Sequence, residues 1–322
     1  MINFLYCFDE NYNFQAFSSI ISLLDCVDEK INIFVIHRIE KDKNFFPSKI
    51  LNHKNLNTLL IKKFDKKIKN YPNLFDAHVS EATYYRLFCS DYLPEIETIF
   101  YIDADIICVS NPITLIKEDT KNLLNSNFII SSKTELTRSE LNIEVFDRLE
   151  LNGDNYFNAG VMNINLTKWK NLDYDYENLL KKMSHKLNYW DQDLLNYLFD
   201  SKYSELDQRL NTVVDFSYYE YLKNVPSIDS VIEGKNFIHF AGSHKPWSVN
   251  GIMVQLSEIY QKEFRKISKN HYHIVHKIRS YSIYIFFNNI KNLKFFKIKH
   301  KIRFLIELTK SLLEINIKIN ES

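Results

Sequence analysis

Residues 96–109, IETIFYIDADIICV, form a largely apolar run whose second half carries two carboxylates, Asp103 and Asp105. Its length and isoleucine content read as a buried strand. In an extended backbone the two carboxylates leave the same face, roughly 7 Å apart. Burying like charges among Ile99, Ile102, Ile106 and Ile107 is unfavourable unless something positive sits between them. A hard divalent cation meets that need, and magnesium or manganese prefers such oxygen ligands. The stretch therefore points to a metal site that could hold a phosphorylated substrate. Asp-x-Asp also arises by chance on solvated surfaces, so the motif does not stand alone.

The rest of the chain bounds the possibilities. Its 322 residues are 45% apolar, enough for a sizeable core in one or two domains. Cys7, Cys26, Cys89 and Cys108 are scattered through apolar runs, a pattern of reduced core thiols and not of a disulfide frame or zinc site. The start, MINFLYCFDE, has neither a basic n-region nor a small-residue cleavage site. The best apolar stretch, residues 281–287 (YSIYIFF), falls far short of the about 20 residues a membrane span needs. A cytoplasmic protein, soluble or peripheral, is expected.

A net charge of +1 hides an asymmetry. Residues 262–303 hold twelve Lys and Arg against one acid, Glu263, so that segment carries +11. Residues 304–322 carry −1, which leaves −9 on residues 1–261. An acidic body with a basic, aromatic tail suggests a catalytic domain over 1–261 and a docking segment over 262–322.

Within the body, residues 2–8, 31–37, 59–64, 98–102 and 128–131 are apolar runs of strand length. Helical patterns lie between them, clearest over 79–89, with Ser80 as a plausible N-cap and Pro94 past the end. The alternation predicts an α/β sandwich with a largely parallel sheet, whose ligands bind beyond the carboxyl ends of the strands. Asp9 and Asp103 both end such strands. Glycine is scarce, five in all, and two fall in distinctive segments. Gly160 lies in YFNAGVMNINLTKW (156–169) and Gly242 in FIHFAGSHKPW (237–247). Trp169, Trp190 and Trp247 mark these segments and the one before Asp191-Gln192-Asp193.

An ordered set of motifs then becomes specific: Asp9-Glu10-Asn11-Tyr12, Ala82-Thr83-Tyr84-Tyr85-Arg86, Tyr101-Ile102-Asp103-Ala104-Asp105, Phe157-Asn158-Ala159-Gly160-Val161, Asp191-Gln192-Asp193, and His239 followed by Gly242 and Lys245-Pro246-Trp247. From about residue 2 to 250 the chain resembles glycosyltransferase family 8, which includes bacterial galactosyl- and glucosyltransferases of lipopolysaccharide and surface-glycan assembly. The resemblance implies a GT-A fold, a Rossmann-like mixed sheet flanked by helices. It also implies a UDP-hexose donor, manganese (or magnesium) as cofactor, and transfer with retention to an oligosaccharide or glycolipid acceptor.

The residues make chemical sense of that implication. By resemblance Asp103, Asp105 and His239 would ligate the metal, a donor set that suits manganese. Without the following Gly-x-x-Lys-Pro-Trp, His239 would read as an ordinary core histidine. Lys245 would contact the diphosphate, and Gly242 and Ala104 would let backbone approach it. Asp9 would read uracil, with Asn11 beside it and Tyr12 as a stacking ring; its plain alternative is a helix N-cap. Arg86 would reach the donor phosphate or sugar, and otherwise would make a surface ion pair of little worth. Asn158 and Asp191 would hold hexose hydroxyls, Gln192 would face the anomeric carbon, and Asp193 would support them or cap the helix over 194–199. An amide is a poor nucleophile, so front-side attack is favoured over double displacement. His78 would touch the acceptor. Residues 134–153 read as a charged, flexible lid or acceptor loop.

Two amphipathic helical patterns, 274–290 and 295–313, end the chain. They suit an anionic membrane surface, at the inner face of the cytoplasmic membrane, better than nucleic acid or plain packing on the domain. A rival activity is a phosphatase of the haloacid dehalogenase type with Asp103 as nucleophile, though Ile107 replaces the Thr or Val expected after that motif. A non-catalytic sugar-nucleotide-binding protein is the other alternative.

Overall fold

The computed structural model describes every residue except 41, 67–70, 73–79, 221–224, 277 and 314–322. Among the described residues ten strands build two sheets: β1 Asn3–Phe8, β2 Ile31–His37, β3 Leu56–Lys63, β4 Thr98–Ile102, β5 Ile106–Cys108, β6 Ile130–Thr137, β7 Asn155–Asn165, β8 Ser204–Glu205, β9 Thr212–Asp215 and β10 Phe237–Ala241. The larger sheet has the order β3-β2-β1-β4-β7-β6-β8, and the smaller β5-β10-β9.

The expectation of a largely parallel sheet holds for one half of the larger one. Strands β3, β2, β1 and β4 are parallel, whereas β7 runs antiparallel to both β4 and β6. Antiparallel neighbours need no crossover to the far end of the sheet, and the segment that joins β6 to β7 carries only the short helix Ile143–Arg148. The sheet is thus mixed, as a GT-A fold requires. Near-continuous burial of β1, β2 and β4 follows from cover on both faces.

One cover is the helix Asn13–Cys26, whose Ile20, Ile21 and Leu24 pack with Phe264 and Ile267. The other carries Tyr84, Tyr85, Phe146, Trp169 and Leu194. A third, smaller cluster, with Ile252, Tyr272, Phe304 and Leu308, joins the C-terminal segment to the body. The helix Glu258–Ile267 runs across residue 261 and buries Ile259, Tyr260, Phe264 and Ile267. Two further helices, Arg279–Lys291 and Lys301–Leu312, follow.

Two local expectations are corrected. The pattern over 79–89 folds as a 3-10 helix, Glu81–Phe88, capped by Ser80, with an α-helical turn Cys89–Tyr92 behind it. Three residues per turn put Thr83 and Arg86 directly in line on one edge, where an α-helix would offset them slightly. Residues 134–153 are anchored and not a free lid. They finish β6, then form the helix Ile143–Arg148 with Val145 and Phe146 buried. Arg138 ties the turn down by donating to Leu151 O at 2.6 Å and Gly153 O at 3.0 Å.

Candidate active site

Strand pairing brings the acidic pair and a distant histidine together. Asp103 follows β4, where Ile102 pairs with Val161 of β7, and Asp103 N donates to Gly160 O at 2.9 Å. Asp105 precedes β5, where Ile106 pairs with His239 of β10. That single register match carries His239 across 134 residues to Asp105, with Nε2 at 3.4 Å from Oδ1. One ligand atom from each of Asp103, Asp105 and His239 lies within 4.8 Å of the others. Ligands about 2.1 Å from a shared ion stand at most about 4.2 Å apart, so a small closure completes a site.

Three observations fit a divalent cation there. Asp105 Oδ1 is buried and makes no hydrogen bond in the structure. His239 Nδ1 lies 3.1 Å from Asn211 Oδ1, an acceptor, so Nδ1 carries the proton and Nε2 offers its lone pair. Gly160 closes the third side: a Cβ there would lie 2.3 Å from His239 Cε1 and 3.0 Å from Asp103 Oδ2. Only glycine fits.

The electrostatics divide the two carboxylates. Burial pushes Asp105 up, but Lys245 and His239 outweigh it and hold the carboxyl below the usual range. Lys245 Nζ donates to Asp105 Oδ2 and Phe240 O, each at 2.7 Å. Burial raises Asp103 against the pull of Arg86. Arg86 Nη1 reaches Asp103 Oδ1 at 3.1 Å and Ala159 O at 2.6 Å, and Tyr101 donates to the same Asp103 oxygen.

Arg86 is therefore no surface ion pair. It is 3% exposed, lies 4.6 Å from the Tyr101 ring centroid, and grips Asp191 through Nε and Nη2. Thr83, on the same helix edge, donates to Asp191 Oδ1 at 2.6 Å. Trp190 turns the chain into this contact with a left-handed φ of 49°, a costly conformation for an aromatic residue. Asp191 is 1% exposed with both oxygens engaged, so here it is the partner of Arg86. Asp193 is wholly buried, accepting from Tyr156 at 2.7 Å, Arg148 at 2.8 Å and the backbone of Asn188 and Tyr189.

Gln192 stands between these carboxylates with its oxygen held by Ala159 N at 2.9 Å. Its amide donates to Glu135 at 3.0 Å and to Tyr156 at 3.2 Å. Asn158 accepts from Gly160 N and Asn211 Nδ2 and donates to Glu135 at 3.2 Å. Asp9 caps the short helix Glu10–Tyr12 by accepting from Asn11 N at 3.0 Å. Tyr12 sits edge-on to Trp247, centroids 6.1 Å apart. Gly242 adopts φ 74°, where its missing Cβ would strike Asp215. Ala104 is buried between the two aspartates. His78 lies outside the described residues.

Sequence reasoning missed Glu135 and Asn211. The β6–β7 register slips between Thr134 and Leu136, leaving Glu135 as the extra residue. Such a bulge re-aims a side chain, here toward Gln192 and Asn158. Asn211 links His239 to Asn158 just ahead of β9, and nothing marks it among the abundant asparagines.

Comparison with known proteins agrees with this geometry. A solved structure of the galactosyltransferase LgtC with donor and acceptor sugar analogs aligns with TM-score 0.60 and 21% identity, over 82% of this chain and 96% of that one. The glycosyltransferase GlyE of Streptococcus pneumoniae aligns at TM-score 0.56 and 18% identity, over 82% and 61%. These likenesses establish the GT-A fold. In sequence, a lipopolysaccharide 1,2-glucosyltransferase of Escherichia coli is 31% identical over 265 residues, 74% of this chain and 71% of the relative. A putative glycosyltransferase of Haemophilus influenzae is 24% identical over 83% of this chain and 79% of its own. The model of glycosyl transferase family 8 matches residues 3–251, which include every described residue of the site assembled above. This chain belongs to glycosyltransferase family 8.

Proposed function

We propose that this glycosyltransferase moves a hexose, galactose or glucose, from a UDP-sugar to a surface-glycan acceptor such as lipopolysaccharide or lipooligosaccharide, with retention and an α-linkage. The observation that carries this reading is the composition of the innermost site: a buried Asp-Asp-His set beside Lys245, with an amide, Gln192, between two locked carboxylates. The kinship with a lipopolysaccharide 1,2-glucosyltransferase supports the acceptor class. Family membership sets aside the phosphatase alternative.

Asp103, Asp105 and His239 would hold manganese or magnesium, which supplies Lewis-acid stabilisation of the departing diphosphate. Lys245 adds a fixed positive charge at the same oxygens, and Arg86, held by Asp191, keeps Asp103 in place. Asp9, Asn11 and Tyr12 frame the uracil end, with Gly242 and Ala104 admitting the diphosphate closely. Asn158 orients the hexose, and Gln192 lends its dipole to positive charge developing at the anomeric carbon. Asp191 and Asp193 are locked by hydrogen bonds and Glu135 accepts from Gln192 and Asn158, so we assign the anomeric carbon to the Gln192 amide, with neither a base nor a nucleophile among these carboxylates. The leaving phosphate accepts the acceptor proton instead.

Release of UDP and proton NMR of the early product test this together. An α-linked product from UDP-galactose or UDP-glucose is expected, and a β-linkage would overturn the mechanism. Gln192→Ala should lower kcat about a hundredfold with little change in donor affinity, because the lost interaction acts mainly in the transition state.

Peripheral membrane binding is part of the proposal. No helix among the described residues is long and apolar enough to cross a membrane. The C-terminal helices instead expose Tyr281, Tyr284, Phe287, Ile302 and Ile306 near Lys291, Lys301 and Arg303, an interfacial composition. Truncation at residue 261 would cut a core-packed helix, so point changes are the better probe. Tyr284→Ser with Phe287→Ser should weaken binding to phosphatidylglycerol vesicles about tenfold. Unchanged vesicle binding would assign these helices to packing alone.

A further inference from the structure

A cavity of about 690 Å³ separates the C-terminal segment from the body. That volume is within the range of small-ligand sites. Its floor is apolar, with Phe216, Ile252, Val254 and Tyr272. Lys294, Lys297 and Lys299 stand along one wall, on and just after the 3-10 turn Lys294–Lys297. His244 also lines it, one residue from the Lys245 that binds Asp105. The cleft therefore opens next to the loop that carries the candidate donor site.

Its charge is one-sided. Among the described lining residues Glu258 is the single acid, and Arg265 already pairs with it. Neither Lys297 nor Lys299 has an ion-pair partner among the described residues. The Lys297 and Lys299 ammonium groups repel each other until an anion joins them. A phosphate ester, with up to two charges and three oxygens, answers several lysines at once. The apolar floor offers a surface for the C–H face of a sugar ring. A bilayer is too flat to enter this concavity. The lysines and Tyr272 also lie beyond residue 251, where the family match ends.

We propose that the cleft binds a phosphorylated sugar of the acceptor glycan, an inference that rests on the glycan-acceptor reading above. The test uses the full chain with UDP and manganese in excess, which occupies the donor site. A glucosamine disaccharide bearing a phosphate at each end is titrated calorimetrically, beside the same disaccharide without phosphates. The wild-type protein should bind the phosphorylated form at least about tenfold more tightly, with affinity falling as salt rises. The Lys297→Glu, Lys299→Glu double variant should lose about tenfold or more of that affinity. Its melting curve and its slow, acceptor-free hydrolysis of UDP-hexose should match wild type. Should the glutamates disturb folding, Lys297→Gln with Lys299→Gln should show the same loss to a smaller degree.

Equal affinity for the two disaccharides, or for wild type and variant, would overturn the proposal. So would loss of binding to phosphatidylglycerol vesicles with disaccharide binding intact, which would make these lysines a membrane contact. A wild-type protein that binds the phosphorylated sugar yet releases UDP from no UDP-hexose would sink the donor reading and leave the cleft assignment standing.

Discussion

Asp105→Asn should lower sugar transfer about a thousandfold while the protein stays folded. The substitution removes one charge and one ligand from the Asp103–Asp105–His239 set, whose atoms gather within 4.8 Å. Folding should survive, because Lys245 keeps its bond to Phe240 O and the strand pairing of β5 with β10 is untouched. Asp103→Asn should behave alike, and chelation of the wild-type protein should reproduce both. Gly160→Ala reaches the same end by steric means, since its Cβ would displace the His239 ring. Manganese affinity measured by calorimetry, alongside UDP release, checks all three variants. Normal turnover by folded Asp105→Asn in excess chelator would disprove the metal assignment.

Arg86→Met should cost about 3–5 kcal/mol of stability, the penalty for stripping a buried carboxylate of its partner. Asp191 is 1% exposed and would keep only Thr83 as a side-chain donor. Asp103 would lose its cation as well. Urea unfolding followed by circular dichroism should show a large shift of the midpoint. Arg209 supplies the control: it pairs with Asp207 at 2.6 Å, but both side chains are well exposed. Arg209→Met should change stability by no more than about 0.5 kcal/mol. An unshifted midpoint for Arg86→Met would mean that Asp191 tolerates the loss by protonation or rearrangement.

Much of the molecule was legible from residue order. The strands over 31–37 and 98–102 fall at the expected residues, because their apolar runs are bounded by polar ones and buried on both sides. The helices at the chain's end, Arg279–Lys291 and Lys301–Leu312, overlap the patterned spans 274–290 and 295–313 but start five and six residues later. The paired aspartates, with their one-residue spacing, marked two members of the candidate metal site. Boundaries drifted where register decides: β6 was expected at 128–131 but runs from Ile130 to Thr137. Its second half is less buried than its first, so hydrophobicity does not mark it; hydrogen bonding to β7 does.

What residue order determined by itself was local: apolar periodicity, the Asp103–Asp105 pair, the scarce glycines at 160 and 242, and the charge step near residue 262. These depend on neighbours within a few positions, and propensity and spacing read them directly. The tertiary structure alone decided that Arg86 is a buried bridge and not a surface partner, because Asp103 and Asp191 reach it from distant segments. It alone aimed Glu135 at Gln192, through a bulge that exists only once β6 and β7 are paired. It alone joined Asn211 to His239, and brought three C-terminal lysines to the same cavity as His244. Each of these is a contact between residues far apart in the chain. Their pairing rests on strand register and packing, which no window along the sequence contains.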